Sequence, residues 1–283
     1  MSEAVATKTR ETAAESAAPA RAHRRALAEW LKAHPNVVRI GAVLLFFLWW
    51  EWAARDANPL FMTYPSAIWK AALEMTESGQ LVEALRQSAG PFVIGLALSI
   101  VLGILIGVLI GSFWILEYTT ELFLAALYAT PRVALVPLII LWAGLGTAGK
   151  VSIIVSLAVF PVIVNTYAGI KDVRGSLIDI GRAYCATETQ IFLKIILPAA
   201  IPYIMAGIRL AVGLGIIGLV VAEFFTAVQG LGGLIVTFSN NFATAKLFVP
   251  VIVIGVLGAG LTQLVTLLER RFSRWRLSER ERQ

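Results

Sequence analysis

The chain is poor in the residues on which most enzymes build their chemistry. It has one cysteine, Cys185, and two histidines in 283 residues. A single cysteine excludes an intrachain disulfide and offers no metal-ligand cluster. Both histidines, His23 and His34, lie in the amino-terminal region, and no Ser/His/Asp or paired-carboxylate arrangement accompanies them. Charge is scarce too: 15% of residues are charged against 58% hydrophobic. Neither catalysis nor an ordinary soluble domain fits that composition.

One stretch imitates a nucleotide site. Residues 144–150, Gly-Leu-Gly-Thr-Ala-Gly-Lys, satisfy the first seven positions of a phosphate-binding loop. The eighth should be Ser or Thr, whose hydroxyl binds magnesium, and here it is Val151. A phosphate loop also follows a strand, whereas this stretch links two long apolar runs. It reads instead as a tight outer turn between membrane spans.

What the chain has in abundance is long apolar sequence, with a mean hydropathy of +0.78. A helix needs about 20 predominantly apolar residues to cross a bilayer. Six spans can be drawn, at about Val37–Ala54, Gly90–Ser112, Leu122–Gly144, Val151–Ile170, Ala199–Phe225 and Leu247–Leu268. The fold class expected is an all-α membrane protein with six transmembrane helices. The second span carries Gly95, Ser99, Gly103, Gly107 and Gly111 at four-residue spacing. Such a stripe lets another helix approach closely, and packing within one subunit is the preferred reading. Gly230 to Gly233 are read as opening an outer loop that reaches Lys246.

A formal charge of +6 would by itself suit a nucleic-acid surface, but its placement argues otherwise. The segment to Arg39 holds seven Lys and Arg, residues 171–194 hold four, and the tail from Arg270 holds six, together 17 of 24. With six spans, all three segments fall on one side, which the positive-inside rule makes cytoplasmic. Both termini are then cytoplasmic, and no nucleic-acid partner is implied. Residues 1–36 form a cytoplasmic tail, with Ala26–Ala33 as a short helix at the membrane surface and Trp30 at the interface. Residues 37–268 form the membrane domain, and 269–283 a basic cytoplasmic tail. The first apolar run lacks a cleavage motif and is expected to stay as an anchor.

A polar interruption at 174–198 separates spans four and five. Ser176 with Asp179, and Thr187 with Gln190, each fit the pattern of a helix start. Two short helices should therefore meet near Ala186 and Thr187. Pro198 and Pro202 then bend or restart the chain as it re-enters apolar sequence. The outcome is a compact cytoplasmic knob suited to docking on something outside the membrane.

This stretch resembles the EAA loop of ABC importer permeases, whose pattern is roughly E-A-A-x3-G-x9-I-x-L-P. Aligned on Ile195, Ile196, Leu197 and Pro198, the acidic position is Asp179, the alanines are Ile180 and Gly181, and the glycine is Cys185. A cysteine can fill that place if the backbone there is helical rather than left-handed. Residues 130–132, Thr-Pro-Arg, resemble the branch serving sulfonate, taurine, nitrate and bicarbonate importers. So do Leu141-Trp142-x-Gly144, Val221-Ala222-Glu223 and Gly230-Leu231-Gly232, and the likeness covers about Pro59 to Arg276.

The resemblance implies a type I importer permease in a bacterial inner membrane, working as a homodimer with a second copy of itself. Each copy's loop would be a coupling helix seated in a groove of a separate cytoplasmic ATPase subunit, two such subunits in all. ATP and Mg would be bound by those partners, with no cofactor in this chain. A periplasmic or lipid-anchored binding protein would deliver a small, anionic solute such as a sulfonate, nitrate or taurine. Asp179, Gly181, Ala183, Tyr184, Cys185, Ala186 and Thr187 are the expected coupling residues. Asp179 could hold a partner cation or cap its own helix.

Arg132, Asn165, Arg209 and Glu223 are the polar candidates within the spans. Ionisable residues at membrane depth usually face a cavity or a partner. Arg132 could contact an anionic solute, or reach a carbonyl or Glu across a helix interface. Arg209 and Glu223 are fourteen residues apart, roughly 21 Å along one straight helix, so any partners lie elsewhere. A secondary transporter or channel is the competing class, and it would need more intramembrane ionisable residues than these.

Overall fold

Within a bilayer every backbone N–H and C=O must be satisfied inside the chain, which favours helices. The computed structural model describes residues 32–226 and 229–272, and the regular structure among them is helical. The chain divides into two compact units, Met1–Ser66 and Ala67–Gln283. The surface helix expected at Ala26–Ala33 lies almost wholly outside the described residues, as does most of the basic tail.

The first unit holds helix α1, Pro35–Arg55. Its proline stands in the first turn, where the missing N–H costs nothing. The chain then turns back through Asn58–Thr63. Two contacts fix the turn against the helix: Trp50 Nε1 donates to the Thr63 carbonyl at 2.9 Å, and Glu51 accepts from the Ser66 amide and hydroxyl at 3.0 and 2.7 Å.

Helix α2, Pro65–Glu77, leads into the second unit, where α3 spans Gln80–Ser112. The apolar run pointed to a start near Gly90, but the helix already begins at Gln80. Its polar opening is supported along one face, where Glu83 accepts from Arg86 and Gln87 at 2.8–2.9 Å. Helix α4, Trp114–Ala129, ends at Thr130 and Pro131. A 3-10 turn at Arg132–Leu135 and a short helix α5, Val136–Ala143, follow. The third span is therefore broken at its Thr-Pro pair, because proline disfavours helical backbone in the residue before it.

Helix α6, Thr147–Lys171, is the central element. It packs along α3 on one side and along α8, Glu188–Thr226, on the other. The small-residue stripe of α3 faces it directly. A Cβ built on Gly95, Gly103 or Gly107 would come within 2.5–2.7 Å of Ile154, Val162 or Thr166 side-chain atoms. The stripe is used within the subunit, in keeping with its spacing. Glycines on α8 repeat the device: Gly207 lies against Asn165 and the Pro161 carbonyl, and Gly218 against Ile154. Buried clusters such as Phe92, Ile154 and Leu219 tie all three helices together.

Of the two outcomes open at Pro198 and Pro202, a bend or a restart, the restart does not occur, for α8 runs unbroken through both. Instead the helix widens into a π turn at Phe192–Ile196. Pro198 lacks the N–H that would bond the Lys194 carbonyl, and a wider turn accommodates the ring. Residues after Gly230 also do not form an extended loop. They form helix α9, Gly230–Asn240, before α10, Thr244–Phe272, which packs on α8 and α9. Among the described residues, α1, α3, α6, α8 and α10 are the five helices long and apolar enough to cross a membrane.

Candidate coupling loop and buried polar site

Between α6 and α8 the chain forms a short helix α7, Gly175–Ala183. Its N-cap is Arg174, which supplies no side-chain bond. The Ser176–Asp179 cap is therefore absent, since α7 starts ahead of Ser176 and leaves Asp179 in mid-helix. The second start is as expected. Thr187 accepts from the Gln190 amide at 3.3 Å, and the Gln190 side chain accepts from the Thr187 amide at 2.9 Å. That reciprocal box opens α8.

The two helices close on each other through Gly181, which is buried. A Cβ there would meet Ile195 at 2.9 Å and Ile191 at 3.2 Å, so a larger residue would pry the hairpin open. The turn is made at Cys185, whose φ is +55°. This is left-handed backbone, so the condition on which a cysteine would fit easily is not met, and the conformation favours glycine, the residue of the family pattern at this place. Ala186 donates to the Gly181 carbonyl at 3.0 Å across it, and Cys185 to the Arg182 carbonyl at 2.9 Å. A cysteine bears the steric cost of about 1 kcal/mol here because the hairpin's own hydrogen bonds and packing enforce the turn.

The inner face of the hairpin is thus closed on itself, and the outer face is apolar and exposed. Leu177, Ile180 and Tyr184 present 43%, 54% and 84% of their surface, with Ala183 and Asp179 exposed beside them. Thr187 and Cys185 are exposed and Ala186 half-buried at the rim.

Where α6 runs into this loop, three helices are latched together. Lys171 Nζ lies 2.5 Å from Glu117 Oε2 on α4, and the Tyr167 hydroxyl donates to the same carboxylate at 2.9 Å. Tyr203 on α8 donates to Asp172, just past the end of α6. The knob is therefore mounted on helix ends that cannot shift independently without breaking these bonds.

At the opposite end of α6 and α8 lies a buried polar site. Glu223 is fully buried. One oxygen accepts from the Ser88 hydroxyl at 2.6 Å, and the other from the Gly232 amide at 2.7 Å. Ser88 Oγ in turn accepts from the Leu231 amide at 2.9 Å, and Gln87 from the Gly230 amide at 2.9 Å. Three amides at the start of α9 are thus satisfied by side chains of α3 and α8, as a helix N-terminus requires. Lys150 Nζ, nearly buried, stands 3.8 Å from Glu223. The lysine of the false phosphate loop is the carboxylate's counter-ion. A Cβ on Gly230 or Gly232 would strike Glu223, which is why glycines occupy these positions.

Arg132 and Asn165 each bond a backbone carbonyl of α6 near Pro161, which lies inside that helix. Pro161 cannot donate to the Leu157 carbonyl, and Arg132 Nη1 approaches that oxygen at 3.4 Å. The guanidinium also lies over the Phe160 ring, 5.0 Å from its centre. Asn165 donates to the Pro161 carbonyl at 2.8 Å. Arg209 pairs with Glu269 on α10, so Arg209 and Glu223 each find a separate partner on another helix. Sequence reasoning missed Lys150, Ser88 and Glu269. Only the exclusion of Lys150 from nucleotide binding hinted that its charge needed another purpose.

A bundle of long apolar helices with a short helix mounted between two of them is the build of a helical membrane protein. The chain belongs to the family described as binding-protein-dependent transport system inner membrane component, which residues 99–274 match. It is 37% identical over 200 residues to a Bacillus subtilis (strain 168) protein named for aliphatic sulfonates transport, the permease SsuC, with 71% of each chain covered. It is 33% identical over 239 residues to the formylaminopyrimidine transport permease ThiX of Halalkalibacterium halodurans, covering 82% of this chain and 94% of that one. A chain from the crystal structure of an amino acid ABC transporter with histidines shares the fold, with a TM-score of 0.52 at 18% identity over 71% of this chain and 97% of that one. The protein is thus a multi-pass inner-membrane permease component of an ABC importer, and not itself an enzyme.

Proposed function

We propose that two copies of this chain line the pathway of an ATP-driven importer and that the α7 hairpin transmits the ATPase stroke. The observation that carries this reading is the exposed apolar face of Leu177, Ile180 and Tyr184 on a hairpin whose inner side is closed. Such a face is costly in water and suits a groove on another protein. The broken segment Trp114–Ala143 serves as the sixth span. Both termini and the hairpin then lie in the cytoplasm with the clustered Lys and Arg.

Substrate is handed over by a binding protein, and two ATPase subunits supply ATP and Mg chemistry. The cargo is a small solute of the sulfonate class, a reading supported by likeness to the sulfonate permease. Arg132 is oriented by its carbonyl and ring contacts, which leaves it a scaffold for α6 at Pro161 more than an anion clamp. Ion coupling is disfavoured because the intraspan charges pair internally, buried Lys150 with Glu223 and half-buried Arg209 with Glu269.

The test is uptake into proteoliposomes holding the permease with its ATPase, with binding protein added outside. Transport of an alkanesulfonate that requires both ATP inside and binding protein outside supports the reading. Transport driven by an ion gradient without ATP would overturn it.

A further inference from the structure

We propose that the turn Asn58–Met62 is a lipid-contacting loop that dips into the headgroup–acyl boundary of the leaflet where α1 ends. Leu60, Phe61 and Met62 are consecutive and exposed, Phe61 at 73%. Residues 57–64 carry no charged side chain. Three consecutive apolar groups at a water-facing loop tip would be unusual. The turn begins three residues after α1, a helix long and apolar enough to span.

The backbone of the turn is prepared for a dry environment. The Leu60 amide donates to Asn58 Oδ1, and the Phe61 and Met62 amides donate to the Asn58 carbonyl, each at 3.0 Å. A turn entering lipid must satisfy its amides internally, and these three are satisfied. The root of the turn is likewise closed, through Trp50 to the Thr63 carbonyl and Glu51 to Ser66 and Arg55. Trp49 and Trp52 are exposed at the same end of α1, where indole rings favour the headgroup level. The apolar turn continues that aromatic belt, so lipid and not a protein partner is its occupant.

The experiment places a nitroxide label on Phe61→Cys in a Cys185→Ser background, with the full chain in a phosphatidylethanolamine–phosphatidylglycerol bilayer. Asp56→Cys, labelled in the same way, is the water-exposed reference. The expected result is oxygen collision several-fold above collision with a water-soluble nickel chelate at 61, and the reverse at 56. Equal nickel access at both sites would overturn the proposal. So would shielding at 61 that appears only when a binding protein is added, or spin–spin broadening that places a second copy there.

Discussion

Glu223 and Gly232, nine residues apart on successive helices, are joined by a 2.7 Å hydrogen bond that seats the start of α9 on the end of α8. The same carboxylate holds Ser88 of α3, so one side chain joins three helices. Replacing Glu223 with Ala leaves buried donors and the Lys150 ammonium without their acceptor, a loss of about 3 kcal/mol. Ser88→Ala removes a smaller share, about 1 kcal/mol. Thermal unfolding of the solubilised protein should rank Glu223→Ala below Ser88→Ala, and both below wild type. An unchanged midpoint for Glu223→Ala would show the site is not structural.

Close approach of α3 and α6 depends on the absence of side chains at the stripe. A Cβ at Gly107 would sit 2.6 Å from Thr166 Cβ and 2.8 Å from the Ile163 carbonyl oxygen. Because backbone cannot yield as a side chain can, Gly107→Ala should cost about 2 kcal/mol. At Gly213 in α8 a Cβ would meet nothing within 4 Å, so Gly213→Ala should gain up to about 1 kcal/mol. Opposite shifts in melting temperature are expected, and shifts of the same sign would contradict the packing.

Arg132 answers a vacancy made by Pro161. Arg132→Gln should impair uptake, and adding Pro161→Ala should restore part of it by returning an N–H to the Leu157 carbonyl. A scaffold role predicts the same fractional rescue for every transported solute. Loss that tracks solute charge, with no rescue, would make Arg132 an anion contact.

Much of this architecture is legible in the sequence because it follows from composition and local chemistry. The apolar runs locate five of the six spans drawn from them, and the Thr187–Gln190 box marks the start of α8 correctly. The four-residue glycine spacing marks the packing face of α3. What stays hidden depends on distant parts of the chain. Gly230–Gly233 resemble a loop because glycines favour turns, yet two of them are small to admit the Glu223 carboxylate. The pairing of Arg209 with Glu269 joins two different helices, α8 and α10, and leaves no local signature. Ser176 with Asp179 matches a cap pattern, but the chain has already entered α7 at Gly175.

The handedness of Cys185 is hidden as well, since nothing in its neighbours prescribes a positive φ. Cys185→Gly should relieve left-handed strain, offset in part by greater freedom of the unfolded chain, for a net gain below about 1 kcal/mol. A higher melting temperature is expected, measured on the isolated permease to separate the turn from partner binding. A lower one would mean that the cysteine side chain contributes more than its backbone costs.

On the proposed reading, the outer face of the α7 hairpin is where the ATPase drives this protein. The most direct measurement is ATPase co-purification and ATP-dependent uptake for Ala183→Asp combined with Tyr184→Asp, both at exposed positions. The account predicts an unchanged melting temperature for the isolated permease, with loss of the ATPase subunits or hydrolysis that no longer moves solute. Full retention of both the ATPase and coupled uptake would contradict it.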